Sequence, residues 1–494
     1  MAFGGNTITV INNIADKVLN LTLKDVKIDV SDTGGDNFEF EDDQIGKAAL
    51  SVEGKGNVEI ELDGNNELKS GASKAGLEKT STGKLTLKDD NNEAGSLTAT
   101  GGASAAGIGG GFQGKGENIT ITGGTVDATG GYGSAGIGGG NGGVGKNITI
   151  TGGTVNATSN DGAGIGGGLL GSGENIAITG GTVTAAGGFG NAGIGGGNGS
   201  DGENITINGG SVTATGGSYA AGIGGGSVGF WGGESGSGKN ITINGGTVNA
   251  TGTDGGAGIG GGENGNGEDI TINGGKVNAS GAYGGAGIGG GVNGIGSKVT
   301  VSGAAQVTAT ATGSGPDWSG VGTGATIGNG GSKTPDGPVD GKEIQADISH
   351  LTTGYIHHII YNPDLDLDGK PDGILKEWWE FALPKPIPDG ESLDLHVETL
   401  KGAPLLFNTR QQGSTLRVTT DNLSARLHGT RQALETLQEQ GVEQIQFVTT
   451  LKTTTLSVED LLTEGGSWFA LEHDGLVSRQ LSAAQAESLK CWMH

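Results

Sequence analysis

Between residues 118 and 140 apolar and polar side chains alternate with period two in three short runs, NITITGG, TVDATGG and SAGIGGG, each closed by glycines. Alternation of that period marks a half-buried strand. Successive side chains of a strand face opposite ways, so Ile119, Ile121, Val126, Ala128, Ala135 and Ile137 share one face. Thr120, Thr122, Thr125, Asp127 and Thr129 share the other. No run is long enough to bury its apolar face alone. The pattern therefore predicts three strands wrapped as a triangle, aliphatic inside and hydroxylic outside.

The string then repeats. The isoleucines of AGIGGG stand at Ile108, Ile137, Ile165, Ile194, Ile223, Ile259 and Ile288, 28 or 29 residues apart except for a step of 36 between Ile223 and Ile259. A fixed period of this size means a solenoid, a propeller or an array. Three short strands per period select a parallel β-helix, an all-β solenoid of about 29 residues per coil. Stacked about 4.8 Å apart, each isoleucine lies on its equivalent one coil below, in ladders that no single coil could bury.

Composition adds a reason for the glycine. Of 494 residues 109 are glycine and only 9 proline, and a doublet at each corner of the triangle supplies the φ > 0 or close backbone approach the corner needs. Asn118, Asn147, Asn175, Asn204 and Asn240, with Asp269 next, fall in one column. In-register stacking predicts an amide ladder there; the N-x-T strings it writes are the default of alternating polar strands. Beside it runs a column of mixed sign, Glu117, Lys146, Glu174, Glu203, Lys239 and Glu268, which reads as managed repulsion.

Degenerate versions of the pattern, such as VEIELDGNNELKSG, precede residue 100. Residues 1–100 are accordingly expected to be terminal coils and cap, 101–331 the regular repeats, and 332–345 a turn-rich linker with Pro335 and Pro338. All seven His and all five Arg lie beyond residue 344. Residues 346–494 read as an independent α+β domain, with a helix predicted from an N-cap at Ser424 to Gly441.

A net charge of −26 argues against nucleic acid and anionic membranes, which need clustered Lys and Arg. Cationic ligands, metal ions and uncharged polymers remain. One cysteine, Cys491, excludes a disulfide framework. The start, MAFGGNTITVINN, carries no signal-peptide pattern, and no apolar run is long enough to insert in a membrane. The expectation is a fragment of a secreted or cell-surface protein without its signal peptide and anchor; no oligomeric state is implied.

Catalysis in the repeats is not expected. GIGGG is followed by no helix, as a phosphate-binding loop requires. Residues 101–300 contain no Arg or His, and Asp127, Asp161, Asp201, Asp254 and Asp269 are scattered over different repeat positions. A binding edge is expected instead. Tyr132, Phe189 and Tyr283 each stand five residues before the repeat isoleucine and Tyr219 four before, while Asn160 and Asp254 hold that place in other coils. Flat rings beside amides and hydroxyls suit the faces of sugars. Phe230 and Trp231, in the seven-residue insertion, are expected to project from the shaft and join the ligand-binding set. A rival use of the surface is ice binding through the threonine rows, which Asn208, Asn244 and Asn273 interrupt. In NPDLDLDGKPDGI, Asp364, Asp366, Asp368 and Asp372 take positions 1, 3, 5 and 9 of a calcium loop, although position 12 is Leu375. Four carboxylates so close predict a bound calcium ion.

The AGIGGG and NITITGGTVxATGG strings, preceded by VEIELDGNNELKSGASKAGLEKTSTGKLTL, resemble the glycine-rich repeat regions of large surface proteins from gut clostridia and related Gram-positive bacteria. They are also similar to the clostridial carbohydrate-binding family that folds as a right-handed parallel β-helix and binds calcium and acidic polysaccharide. That resemblance covers roughly residues 1 to 330. It implies right-handed coiling and a surface adhesin or carbohydrate-binding role toward a polysaccharide or host glycan. The alternatives are a polysaccharide lyase or hydrolase on the same fold, and a purely structural spacer.

Overall fold

The structure is a computed structural model describing residues 6–35, 45–91, 93–228, 235–313, 320–363, 372–381 and 394–489. It divides into two compact units, Met1–Asp347 with Ile356–Glu380, and Ile348–Tyr355 with Phe381–His494.

The first unit is a parallel β-helix with three strands per coil. One ladder joins Ile8–Asn12, Leu50–Gly54 and Leu77–Lys79 to the two-residue strands Ile108–Gly109 through Ile327–Gly328, eleven strands in order along the axis. Ile108, Ile137 and Ile165 lie opposite one another in register, as do Ile194, Ile223, Ile259, Ile288 and Ile327 farther on. All are fully buried. A second ladder stacks Ile119 on Ile148 and Ile176, and a third stacks Val126 on Val155 and Val183. Burying one such side chain contributes about 1.5–3 kcal/mol, and each obtains its burial only from the coils above and below. The insertion between Ile223 and Ile259 leaves that register intact.

Glycine is obligatory in the isoleucine ladder. Gly138 has φ +138°, and a Cβ there would sit 1.9 Å from the Gly166 carbonyl oxygen. The bend inside the NITI strand is different: Asn118, Asn147, Asn175, Asn204 and Asn240 themselves take φ between 53° and 58°. Glycine therefore does not turn every corner. Asparagine tolerates the left-handed region and, unlike glycine, carries an amide that can bond along the column.

The N-terminal coils depart from the repeat as expected of a terminus. Asn57–Lys69 runs as one 13-residue strand through a corner, pairing with Val18–Lys24 and Lys27–Asp29 on one side and with Leu85–Lys88 and Gly95–Thr100 on the other. At the far end the backbone of residues 342–344 and the Glu343 side chain take the place of the next coil. Ile288 N donates to Thr326 O at 2.9 Å in the regular way. The amides of Thr326 and Ile327 instead donate to the Glu343 carboxylate, at 2.6 and 3.1 Å. Glu343 thereby satisfies an edge that would otherwise be open. The strand Tyr355–Tyr361, whose residues from Ile356 on belong to this unit, pairs with Gln306–Thr312. Residues 356–380 thus group with the solenoid and not with the C-terminal unit.

The second unit is α+β. Leu395–Glu398, Ser424–Thr430, Trp468–Asp474 and Val477–Leu481 form one antiparallel sheet; Asn408–Gln412, Thr415–Thr419, Gln444–Val448 and Thr453–Ser457 form a mixed one. Its helices among the described residues are Arg431–Glu439, Val458–Glu464 and Ala483–Leu489. The helix expected from Ser424 begins only at Arg431, capped by Thr430, whose hydroxyl accepts from Ala433 N at 3.1 Å. Ser424–Thr430 is a central strand with neighbours on both sides, and Ala425 and Leu427 enter the core. Pairing distant in sequence overrides local helical patterning here. In the same strand the buried Arg426 donates to Glu398 and Glu472, each at 2.7 Å. Burial pushes the Glu472 carboxyl up, but Arg426 and Arg479 prevail and hold it below the usual range.

Candidate functional site

The aromatic residues singled out in the sequence lie in the turn that precedes the AGIGGG segment of each coil. That turn is tied to the one following GGG: Leu169 N donates to Gly133 O at 2.7 Å, Ser227 N to Gly190 O at 2.8 Å and Glu263 N to Tyr219 O at 2.7 Å. Each ring is therefore mounted on backbone held by hydrogen bonds to another turn. Tyr132 is 39% exposed and Phe189 37%; Tyr219 and Tyr283 are half-buried. Tyr219 and Tyr283 occupy the left-handed region, at φ 73° and 48°.

Phe189 and Tyr219, on consecutive coils, meet edge to face with ring centroids 5.4 Å apart and planes at 77°. This is the favoured aromatic geometry. Carboxylates border it. Burial, then Asp254 and Glu263, push the Tyr219 phenol up, and burial raises Glu263 itself. Asp161 stands in the coil between Tyr132 and Phe189, its carboxyl also raised by burial. The edge combines flat apolar surface with acceptors for hydroxyl groups.

Phe230 and Trp231 lie outside the described residues, as do Asp364, Asp366 and Asp368 of the expected calcium loop; Asp372 is described and exposed. Among the described residues no group of three or more His, Cys, Asp or Glu is placed to hold a metal ion.

The polar faces are ordered. In the asparagine column Asn147 donates to Asn118 at 2.9 Å, Asn175 to Asn147 at 3.2 Å and Asn240 to Asn204 at 3.3 Å. The asparagines expected only to interrupt the threonine rows form a second ladder: Asn244 donates to Asn208 at 2.7 Å and Asn273 to Asn244 at 2.8 Å. In the charged column Lys146 pairs with Glu174 at 2.7 Å, and Lys239 stands 3.6 Å from Glu203.

Sequence reasoning passed over Glu78 and Lys79. The signal is present: residues 75–81 read AGLEKTS where later coils read AGIGGG, placing two ionisable side chains in columns that the later coils give to glycine.

Seven stretches, residues 93–112, 119–141, 148–169, 176–198, 205–227, 241–263 and 270–292, match a family model described as Beta helix repeat. With the stacked ladders, this makes the chain a β-helix repeat protein with a small C-terminal domain. No curated protein and no solved structure matches it.

Proposed function

We propose that this chain is an extracellular carbohydrate-binding or adhesive protein, its rigid β-helix presenting the aromatic edge to a polysaccharide or cell-surface glycan. The Phe189–Tyr219 pair carries this reading: two partly exposed rings on consecutive coils, 5.4 Å apart, on a backbone fixed by the coil stack. A sugar ring has an apolar C–H face and a polar rim. The rings suit the first, and Asp161, Asp254 and Glu263 accept from the second. The net charge of −26 favours uncharged polymers over polyanions. A calcium ion on Asp364, Asp366, Asp368 and Asp372 belongs to the same proposal, on the spacing of those carboxylates alone.

A glycan array probed with calcium and with chelator tests it. Some glycan should bind, and Phe189→Ala and Tyr219→Ala should each weaken that binding roughly tenfold, the worth of a stacked ring. Unchanged affinity in both variants removes the edge; identical binding with and without chelator removes the metal from the function.

A further inference from the structure

A second site lies in the N-terminal coils. In register, Leu77 faces Ile108 and Glu78 faces Gly109, while on the other side Ser51 faces Glu78 and Val52 faces Lys79. The regular coils continue the Glu78 column as Gly138, Gly166 and Gly195. Gly109, the residue that faces Glu78 in the next coil, carries no side chain, and a cavity of about 450 Å3 opens beside the glutamate. Its walls include Lys74, Glu78, Lys79, Ser81, Phe112 and Lys115. That volume is within the range of small-molecule clefts.

The wall is polar and incompletely satisfied. Glu78 and Lys79 are each 4% exposed and Ser81 8%. Glu78 Oε1 accepts from Lys74 Nζ at 3.1 Å, but Glu78 Oε2 and Ser81 Oγ have no hydrogen-bond partner. Lys79 Nζ, which has three hydrogens to give, donates to Ser81 O at 2.6 Å. Burial raises the Glu78 carboxyl and lowers the Lys79 amine to about 8. Buried polar atoms in folded proteins are nearly always bonded, so two orphans on the wall of one cavity point to a partner from outside the chain.

The partner's chemistry follows from what the wall lacks. Glu78 Oε2 wants a donor, Lys79 Nζ an acceptor, and Ser81 Oγ either; hydroxyl groups serve all three. An anionic ligand would meet Glu78 and Glu117, and a cationic one would meet Lys74, Lys79 and Lys115, all of which line the cavity. The Phe112 ring offers apolar surface to a C–H face. We propose that this cavity binds one neutral sugar residue, with Glu78 and Lys79 gripping its hydroxyls. It shares no residue with the aromatic edge and does not depend on it.

Saturation-transfer NMR and titration of the full chain with neutral methyl glycosides, methyl glucuronoside and a methyl aminoglycoside test this. A neutral glycoside should bind, with affinity falling about tenfold in Glu78→Gln, where a charged acceptor is lost, and about threefold in Ser81→Ala. Run in the Phe189→Ala, Tyr219→Ala double variant, in which the edge no longer contributes, the same titration reads the cavity by itself and separates the two sites. The proposal is overturned if no neutral glycoside binds, if the charged glycosides bind better, or if a folded Ser81→Ala protein binds as tightly as the parent. Should Glu78→Gln not fold, Ser81→Ala decides alone.

Discussion

Asn147 Nδ2 donates to Asn118 Oδ1 at 2.9 Å, one coil away, from a backbone held at φ 53°. Two requirements meet in that residue. The bend needs a left-handed conformation, and the column needs a side chain that is donor and acceptor at once. Replacing it separates them. Asn147→Ala pays the left-handed strain and loses the rungs to Asn118 and Asn175, and should cost about 2 kcal/mol; Asn147→Gly relieves the strain, loses the same rungs and should cost about 1 kcal/mol. Equilibrium unfolding of the two variants checks the order. Equal losses would mean that the conformation contributes nothing.

The isoleucine ladder makes a sharper demand. A methyl group at Gly138 would stand 1.9 Å from Gly166 O on a backbone at φ +138°, so Gly138→Ala must push two coils apart. About 3 kcal/mol or more should be lost. Ile165→Val, which removes one buried methylene from the same ladder, should cost only about 1 kcal/mol. Denaturant midpoints compare them. A tolerated Gly138→Ala would show that the coils are spaced more widely here than the backbone contacts indicate.

At the C-terminal end of the solenoid, His358 is buried beneath Trp378, with ring centroids 4.5 Å apart. Its Nδ1 lies 2.6 Å from Thr326 Oγ1, which stands 3.0 Å from each Glu343 carboxylate oxygen. The hydroxyl has one proton; given to Glu343, it leaves His358 to donate from Nδ1 as the neutral ring. Burial, then His357 and Lys376, lower its pKa to about 4. The unfolded chain therefore binds the proton first, and stability falls as pH drops below about 6.5. Between pH 7.5 and 5.5 that shift is worth roughly 1.4 kcal/mol. Glu343 and Glu380, both raised by burial, act in the opposite sense, since their contribution is lost as pH rises. Comparison with His358→Asn, which keeps a donor near Nδ1, isolates the histidine: the variant's thermal midpoint should fall less on acidification. Parallel pH profiles would remove His358 from the response.

Much of the solenoid was legible because its contacts are with the next copy of the same string. Alternation told Ile119 and Ile121 from Thr120, and the period told which isoleucine meets which. The aromatic corners were legible for the same reason, since Phe189 and Tyr219 are neighbours in the repeat before they are neighbours in space. Their edge-to-face contact was not, because it depends on backbone angles that differ between the two turns. Glu78 and Lys79 were visible as letters in a glycine column. Their significance lies in the missing side chain of the coil above, which only stacking reveals. Ser424–Thr430 misled in the other direction: its local pattern fits a helix, and its strand partners lie 28 to 50 residues away.

The amino-acid sequence by itself determined the coil, its three-strand section and the aliphatic ladders of the regular repeats, because in a solenoid the nearest-neighbour interaction is the global one. Tertiary structure decided the rest. The carboxylate that closes the last coil, the strand at Ser424 and the return of residues 356–380 to the solenoid each join segments with no shared period, and the cavity beside Glu78 opens where a degenerate coil meets a regular one. Nothing in a local pattern encodes a partner that the pattern does not contain.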